Sequence, residues 1–142
     1  MTRFRAFRAG LQAFAGRYEH GQAMVELAIV LPVLLLLLIA IVQFALVYHA
    51  RDVATTAAQE GARLAAAEGR TPEEGAARTR DVLKSGLGDT SAGFSVTAED
   101  TGETVVVNAS GDYPLIIPWV TGNSIPIKAE ATVRREGFRS GP

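Results

Sequence analysis

The sequence predicts an α+β fold: a long N-terminal membrane-spanning helix that continues into a small antiparallel sheet outside the membrane. Three observations carry this. An unbroken apolar run stands near the N-terminus, alanine-rich and proline-free sequence follows it directly, and the C-terminal part alternates apolar and polar residues with a period of two.

The apolar run comes first. From Leu27 to Val42 no side chain is polar; Gln43 interrupts, and Phe44 to Tyr48 resume. At about 1.5 Å per residue, Leu27 to Tyr48 reaches about 33 Å, enough for a hydrocarbon core of about 30 Å. A buried core helix is the weaker alternative, because the 142-residue chain has too little sequence elsewhere to cover such a helix on all sides. A secretory signal fits poorly too. Signal h-regions run about 7 to 15 residues, and Phe44 to Ala50 make a poor cleavage site.

Net charge is −1, but it is unevenly spread. Residues 1–20 carry Arg3, Arg5, Arg8 and Arg17 against Glu19 alone, whereas acids exceed bases in residues 49–142. The positive-inside rule therefore places the N-terminus in the cytoplasm and the C-terminal region outside, periplasmic or on the outer side of a cell membrane. No basic patch is large enough to predict nucleic-acid binding. There is no cysteine, which excludes disulfides, thiolate metal sites and cysteine nucleophiles.

Residues 49–68 extend the helix, which is expected to run from about residue 23 to residue 68. Asp52, Thr55, Thr56, Gln59, Glu60 and Arg63 form a polar side; Ala50, Ala54, Ala57, Ala58, Gly61, Ala62 and Ala65 form a side of small residues. Small residues admit close backbone approach. Gly61 costs about 1 kcal/mol relative to alanine in a helix, so close approach is its simplest rationale. That face is expected to pack on the chain's own sheet or on another subunit. Gly69-Arg70 should end the helix. Thr71-Pro72-Glu73-Glu74 then reads as an N-cap, a proline at the first helical position and a capping box. This second helix is expected to stop at Gly86 and to be mostly solvated.

Three strands follow. Phe94, Val96 and Ala98 alternate with polar residues, as do Val105, Val107 and Ala109; Asp100-Thr101-Gly102 joins the two runs as a hairpin. Ile125, Ile127, Ala129, Ala131 and Val133 share one face of the last strand, and Pro126 suits an edge strand. Residues 113–122, "YPLIIPWVTG", read as an apolar loop. Leu115, Ile116, Ile117 and Trp119 are expected to cap the core, to meet a partner, or to enter the membrane interface.

The sequence offers no constellation for catalysis, and no enzyme activity or cofactor is expected. His20 and His49 bracket the span and cannot meet within one chain. Glu73-Glu74 suits helix capping. Asp100 and Glu103 supply too few oxygens for a calcium site.

Residues 21–66, "GQAMVELAIVLPVLLLLLIAIVQFALVYHARDVATTAAQEGARLAA", resemble the TadE-like family of tight-adherence (Tad, or Flp) pilus systems. The resemblance lies in Gly-Gln-Ala followed by Glu26, the apolar run opened by Leu31-Pro32, and the later Ala57 to Arg63. It implies a pilin-like architecture and a pseudopilin or minor pilin-type role in pilus assembly. A prepilin peptidase would cut between Gly21 and Gln22. Glu26 would then pair with the new amine of a neighbouring subunit. In lipid, an ammonium offsets the desolvation of a carboxylate; an acid that only caps the helix start is the simpler alternative. Partners implied are the lipid membrane, other minor pilin-like subunits, the major pilin and the inner-membrane platform. Pro32, Ala54, Ala58, Gly61 and Ala62 are the expected helix-packing residues. The expected organisation is a basic leader at 1–21, a span at 22–48, a helical region at 49–86 and a sheet region at 87–142. Leu27 in place of an aromatic, polar Gln22 after the cut, and a long leader depart from ordinary pilins. The other readings are an uncleaved tethered binding module and an exported soluble protein.

Overall fold

The computed structural model describes residues 3–116 and 122–135, with side chains from residue 21 onward. Three helical elements precede three strands. They are α1 (Arg3–Ala66), α2 (Pro72–Leu87), a short 3-10 turn (Gly88–Gly93), β1 (Phe94–Asp100), β2 (Thr104–Pro114) and β3 (Ser124–Arg134). The chain divides into two compact units, Met1–Val42 and Gln43–Pro142. The α+β arrangement is as the sequence predicts. Helix α1 begins well before residue 23, because nothing in residues 3–22 breaks a helix.

In the first unit, the apolar side chains of α1 have no cover. Met24, Ile29, Val33 and Leu38 are all more than half exposed. The most apolar 18-residue window has a mean hydropathy of 3.1 and none of it is buried. A helix apolar on every side and covered on none is stable where the surroundings are apolar too, so length and composition fit a membrane anchor. Pro32 lies inside this helix, where its ring removes one backbone bond.

The second unit packs the remainder of α1 and α2 on a sheet of order β1-β2-β3, antiparallel throughout. Residues of alternate parity enter the core: Val105, Val107 and Ala109 from β2, and Ile127, Ala129 and Ala131 from β3. They meet Ala50, Ala54, Ala57, Ala58, Ala62, Ala65 and Ala66 of α1. The largest fully buried side chains are Leu83, Val105, Val107 and Thr79. Such a core draws its stability from closeness of approach more than from area, since alanine buries little surface.

Helix α2 differs from expectation. It buries a stripe of Gly75, Ala76, Thr79 and Leu83 while its outer face stays exposed as expected, so one side of it is a packed layer. Its end is Gly88, at φ 57, not Gly86. Gly86 instead faces Val53, where a Cβ would lie 2.6 Å from Val53 Cγ1. The capping box is as expected: Glu74 N–H donates to Thr71 Oγ1 and Thr71 N–H to Glu74 Oε2.

Strand β2 also runs further than expected. Tyr113 and Pro114 pair with Ile125 and Ser124, so the loop begins only at Leu115. Leu115 is buried and Ile116 is 58% exposed; Ile117 and Trp119 lie outside the described residues. Pro126 sits in β3, opposite Asp112, on an edge strand that spares its missing N–H.

Candidate functional site

Residues Gly21, Gln22, Glu26 and Pro32 all lie in the first unit, within α1, and all are exposed. Gln22 and Glu26 are four apart and share a helix face. No heavy atom lies within 4 Å of where a Cβ on Gly21 would stand. Glu26 has no ion-pair partner among the described residues. It does not cap a helix start either, because α1 begins at Arg3. Within α1 this acid therefore sits in mid-helix, beyond the first turn where a helix dipole favours an anion.

The small-residue face lies in the second unit, and its partners belong to the same chain. Ala54, Ala58 and Ala62 have no exposed surface. At Gly61 the two helices nearly touch. A Cβ there would stand 1.9 Å from Thr79 Oγ1 and 2.6 Å from the Gly75 carbonyl oxygen. The converse also holds: a Cβ on Gly75 would stand 2.6 Å from both the Gly61 oxygen and Ala65 Cβ. Two glycines thus face each other across the crossing, and no other residue fits at either place without moving a backbone. The Thr79 hydroxyl is buried there and donates to the Gly75 oxygen at 2.9 Å, which satisfies it. Outside the crossing, Arg78 binds Glu60 through Nε at 3.1 Å and Nη2 at 2.6 Å. Both side chains are about half exposed, so the pair contributes little.

Gly75 and Thr79 are thus functional partners of Gly61 that a search for apolar periodicity does not find. The signal is a pair of small residues four apart on each helix, Gly61 with Ala65 and Gly75 with Thr79.

Two acids flanking the β1–β2 hairpin are occupied structurally. Asp100 pairs with Arg135, and Glu103 with Arg134. Asp100 Oδ1 also accepts the Gly102 N–H at 2.7 Å and holds the hairpin turn. Arg135 Nη2 donates to the Arg70 oxygen at 3.0 Å, which ties the end of β3 to the turn between the helices. At the start of α2, the carboxyl of Glu73 is held below its ordinary range by its own backbone N–H and by the Thr71 hydroxyl. Among the described residues no cluster of three or more His, Cys, Asp or Glu could hold a metal ion.

Two arrangements therefore coexist. One is an exposed apolar helix bearing Gly21 and Glu26, long and apolar enough to cross a membrane. The other is a small packed α+β unit closed by a glycine-on-glycine crossing. Residues 21–63 match the family model described as TadE-like protein. No curated protein and no solved structure matches the chain.

Proposed function

Through residues 21–63 the chain belongs to the TadE-like family, and on that premise we propose that it is a pseudopilin or minor pilin-type membrane protein. It takes part in assembly of a Tad (Flp) type IV pilus or secretion system. The role is not enzymatic. Its helix spans the inner membrane with the N-terminus in the cytoplasm, and the second unit stands outside. Its partners are other minor pilin-like subunits, the major pilin, the inner-membrane platform and a prepilin peptidase.

One observation supports this reading above the others: the family match begins at Gly21, in a helix whose apolar surface is uncovered. Cleavage between Gly21 and Gln22 would do two things at once. It would turn Gln22 into a new helix N-terminus, with Glu26 one turn inside it. It would also create an ammonium group at that terminus. A carboxylate that has no ion-pair partner among the described residues then gains a favourable dipole and, on a neighbouring subunit, an opposite charge in a medium of low dielectric. Processing would thus switch Glu26 from an exposed liability to an association residue. Gly21 helps the cut, because glycine destabilises a helix by about 1 kcal/mol relative to alanine and eases local opening of the scissile peptide.

The test is replacement of Glu26 by alanine in the native host. Membrane insertion should be retained, since the apolar run is untouched, while pilus assembly falls. Unchanged piliation would remove the pairing role.

A further inference from the structure

The second unit has a direction, read from its own contacts. Helices α1 and α2 run antiparallel, with Gly61 against Gly75 and Val53 against Gly86. The Asp100–Thr104 hairpin and Arg135 lie at the α1–α2 turn, through Arg135 and the Arg70 oxygen. The opposite end of the sheet therefore lies toward the start of this unit's helix. At that end Gly111 stands against Gly93 and Phe94, and Tyr113 and Pro114 close the ladder with Ile125 and Ser124.

The reach can be compared. From Thr104 to Pro114 a strand covers at most about 33 Å, at about 3.3 Å per residue. From Ala66 back to Phe44 a helix covers the same distance, at about 1.5 Å per residue. Pro114 to Ile116 thus return toward the level of Phe44 to Tyr48, the last residues of the apolar run. Burial agrees: Gln43 and Val47 are half-buried on the stripe that continues to Ala50, while Phe44, Leu46 and Tyr48 are exposed. The rings of Phe44 and Tyr48 stack, centroids 6.4 Å apart. The loop base is built as well. Leu115 N–H donates to the Asn123 oxygen at 3.1 Å, Leu115 is anchored in the core, and Ile116 is turned out. From Ile116 to Gly122 the sequence has no charged residue.

We propose that Ile116, at the base of the β2–β3 loop, rests in the outer lipid interface beside Phe44 and Tyr48. The second unit then touches the bilayer at a second place besides its helix. The occupant is lipid because Ile116 is an exposed apolar residue at the end of the unit where the apolar run of α1 enters it, and the Phe44–Tyr48 ring pair there suits the interfacial zone. The consequence is mechanical. Withdrawal of the subunit from the membrane must free this contact as well as the helix. The proposal rests on the membrane-anchored reading given above.

The chain has no cysteine, so a single introduced thiol labels one place. Full-length Ile116→Cys, Phe44→Cys and Glu68→Cys are each labelled with an environment-sensitive fluorophore in phosphatidylcholine–phosphatidylglycerol vesicles. Quenchers are a spin label high on the acyl chain and aqueous iodide. Lipid quenching and a blue-shifted emission are expected at residues 44 and 116, with iodide quenching alone at Glu68, which lies beside the α1–α2 turn. Iodide quenching at 116 with lipid quenching kept at 44 overturns this inference and leaves the anchor standing. Protection of 116 from both quenchers overturns it in favour of a protein partner. Loss of lipid quenching at 44 as well overturns the anchored reading itself.

Discussion

A methyl group added at Gly61 probes the helix crossing directly. In Gly61→Ala the new carbon would stand 2.6 Å from the Gly75 carbonyl oxygen, where ordinary contact begins at 3.4 Å. The Thr79 hydroxyl, at 1.9 Å, can rotate only by leaving the Gly75 oxygen it donates to, and it is buried. The carbonyl cannot move without disturbing α2. The helices must therefore part by about 0.8 Å, a gap that forfeits a quarter to a half of the dispersion energy of the atoms it separates. Overpacking of this kind costs about 1–3 kcal/mol. The gain in helix propensity returns about 1 kcal/mol, and the strained hydroxyl bond costs about 1 kcal/mol. The last two offset, and the net expectation is destabilisation by about 1–3 kcal/mol. Gly61→Val, bulkier and with almost no propensity gain, should lose about 2 kcal/mol or more. The assay is hydrogen exchange by mass spectrometry on the full chain in micelles, reading the protection of Val105 to Ala109. If either variant protects these amides as well as the parent, the close crossing is not what Gly61 is for.

Other outcomes follow from the same geometry. Gly21→Ala meets nothing within 4 Å and should leave the fold intact while blocking processing; an N-terminus still at Gln22 would contradict the assignment of Gly21 to the processing site. Thr71→Ala removes the N-cap acceptor of Glu74 and should cost about 1 kcal/mol, seen as faster exchange in the first turn of α2. Arg135→Ala removes the Asp100 pair and the bond to the Arg70 oxygen. It should loosen both the 100–104 hairpin and the turn at residues 67–71, by about 1 kcal/mol, and loosening at only one of them would separate the two contacts. Because the folded-state pKa of Glu73 is depressed, its contribution is present above the ordinary carboxylate range and is lost as pH falls through the lowered value. Glu73→Gln should flatten the acid side of the stability profile of α2, measured by circular dichroism; an unaltered profile would discount the cap interaction.

Much of this architecture is readable from local pattern. Strict alternation places Val105, Val107 and Ala109 with Ile127, Ala129 and Ala131 on one buried face, since a strand has only two faces. Thr71-Pro72-Glu73-Glu74 announces a helix start through groups whose chemistry is entirely local. Helix α2 resists such reading because its buried stripe is Gly75, Ala76, Thr79 and Leu83, small or polar for most of its length. Burial there reflects proximity of two backbones, and hydropathy does not register that. The extension of β2 through Tyr113 and Pro114 is hidden by proline, which reads as a loop unless the edge position of its partner strand is known. For the candidate site, spacing singles out Gly21 and Glu26, and the three-dimensional context adds that Glu26 lies in mid-helix. Small residues at Ala54, Ala58, Gly61 and Ala62 are equally compatible in sequence with a neighbour subunit or with the chain's own core. Burial of all four against α2 and the sheet distinguishes these, because a face already covered offers nothing further to a partner.

The most direct test is the mass of the chain recovered from its native membrane. Processing predicts a mature N-terminus at Gln22, with the leader through Gly21 absent. A chain beginning at Met1 or Thr2 would contradict the pseudopilin account in favour of an uncleaved tether, and one beginning near Arg51 would contradict membrane anchorage altogether.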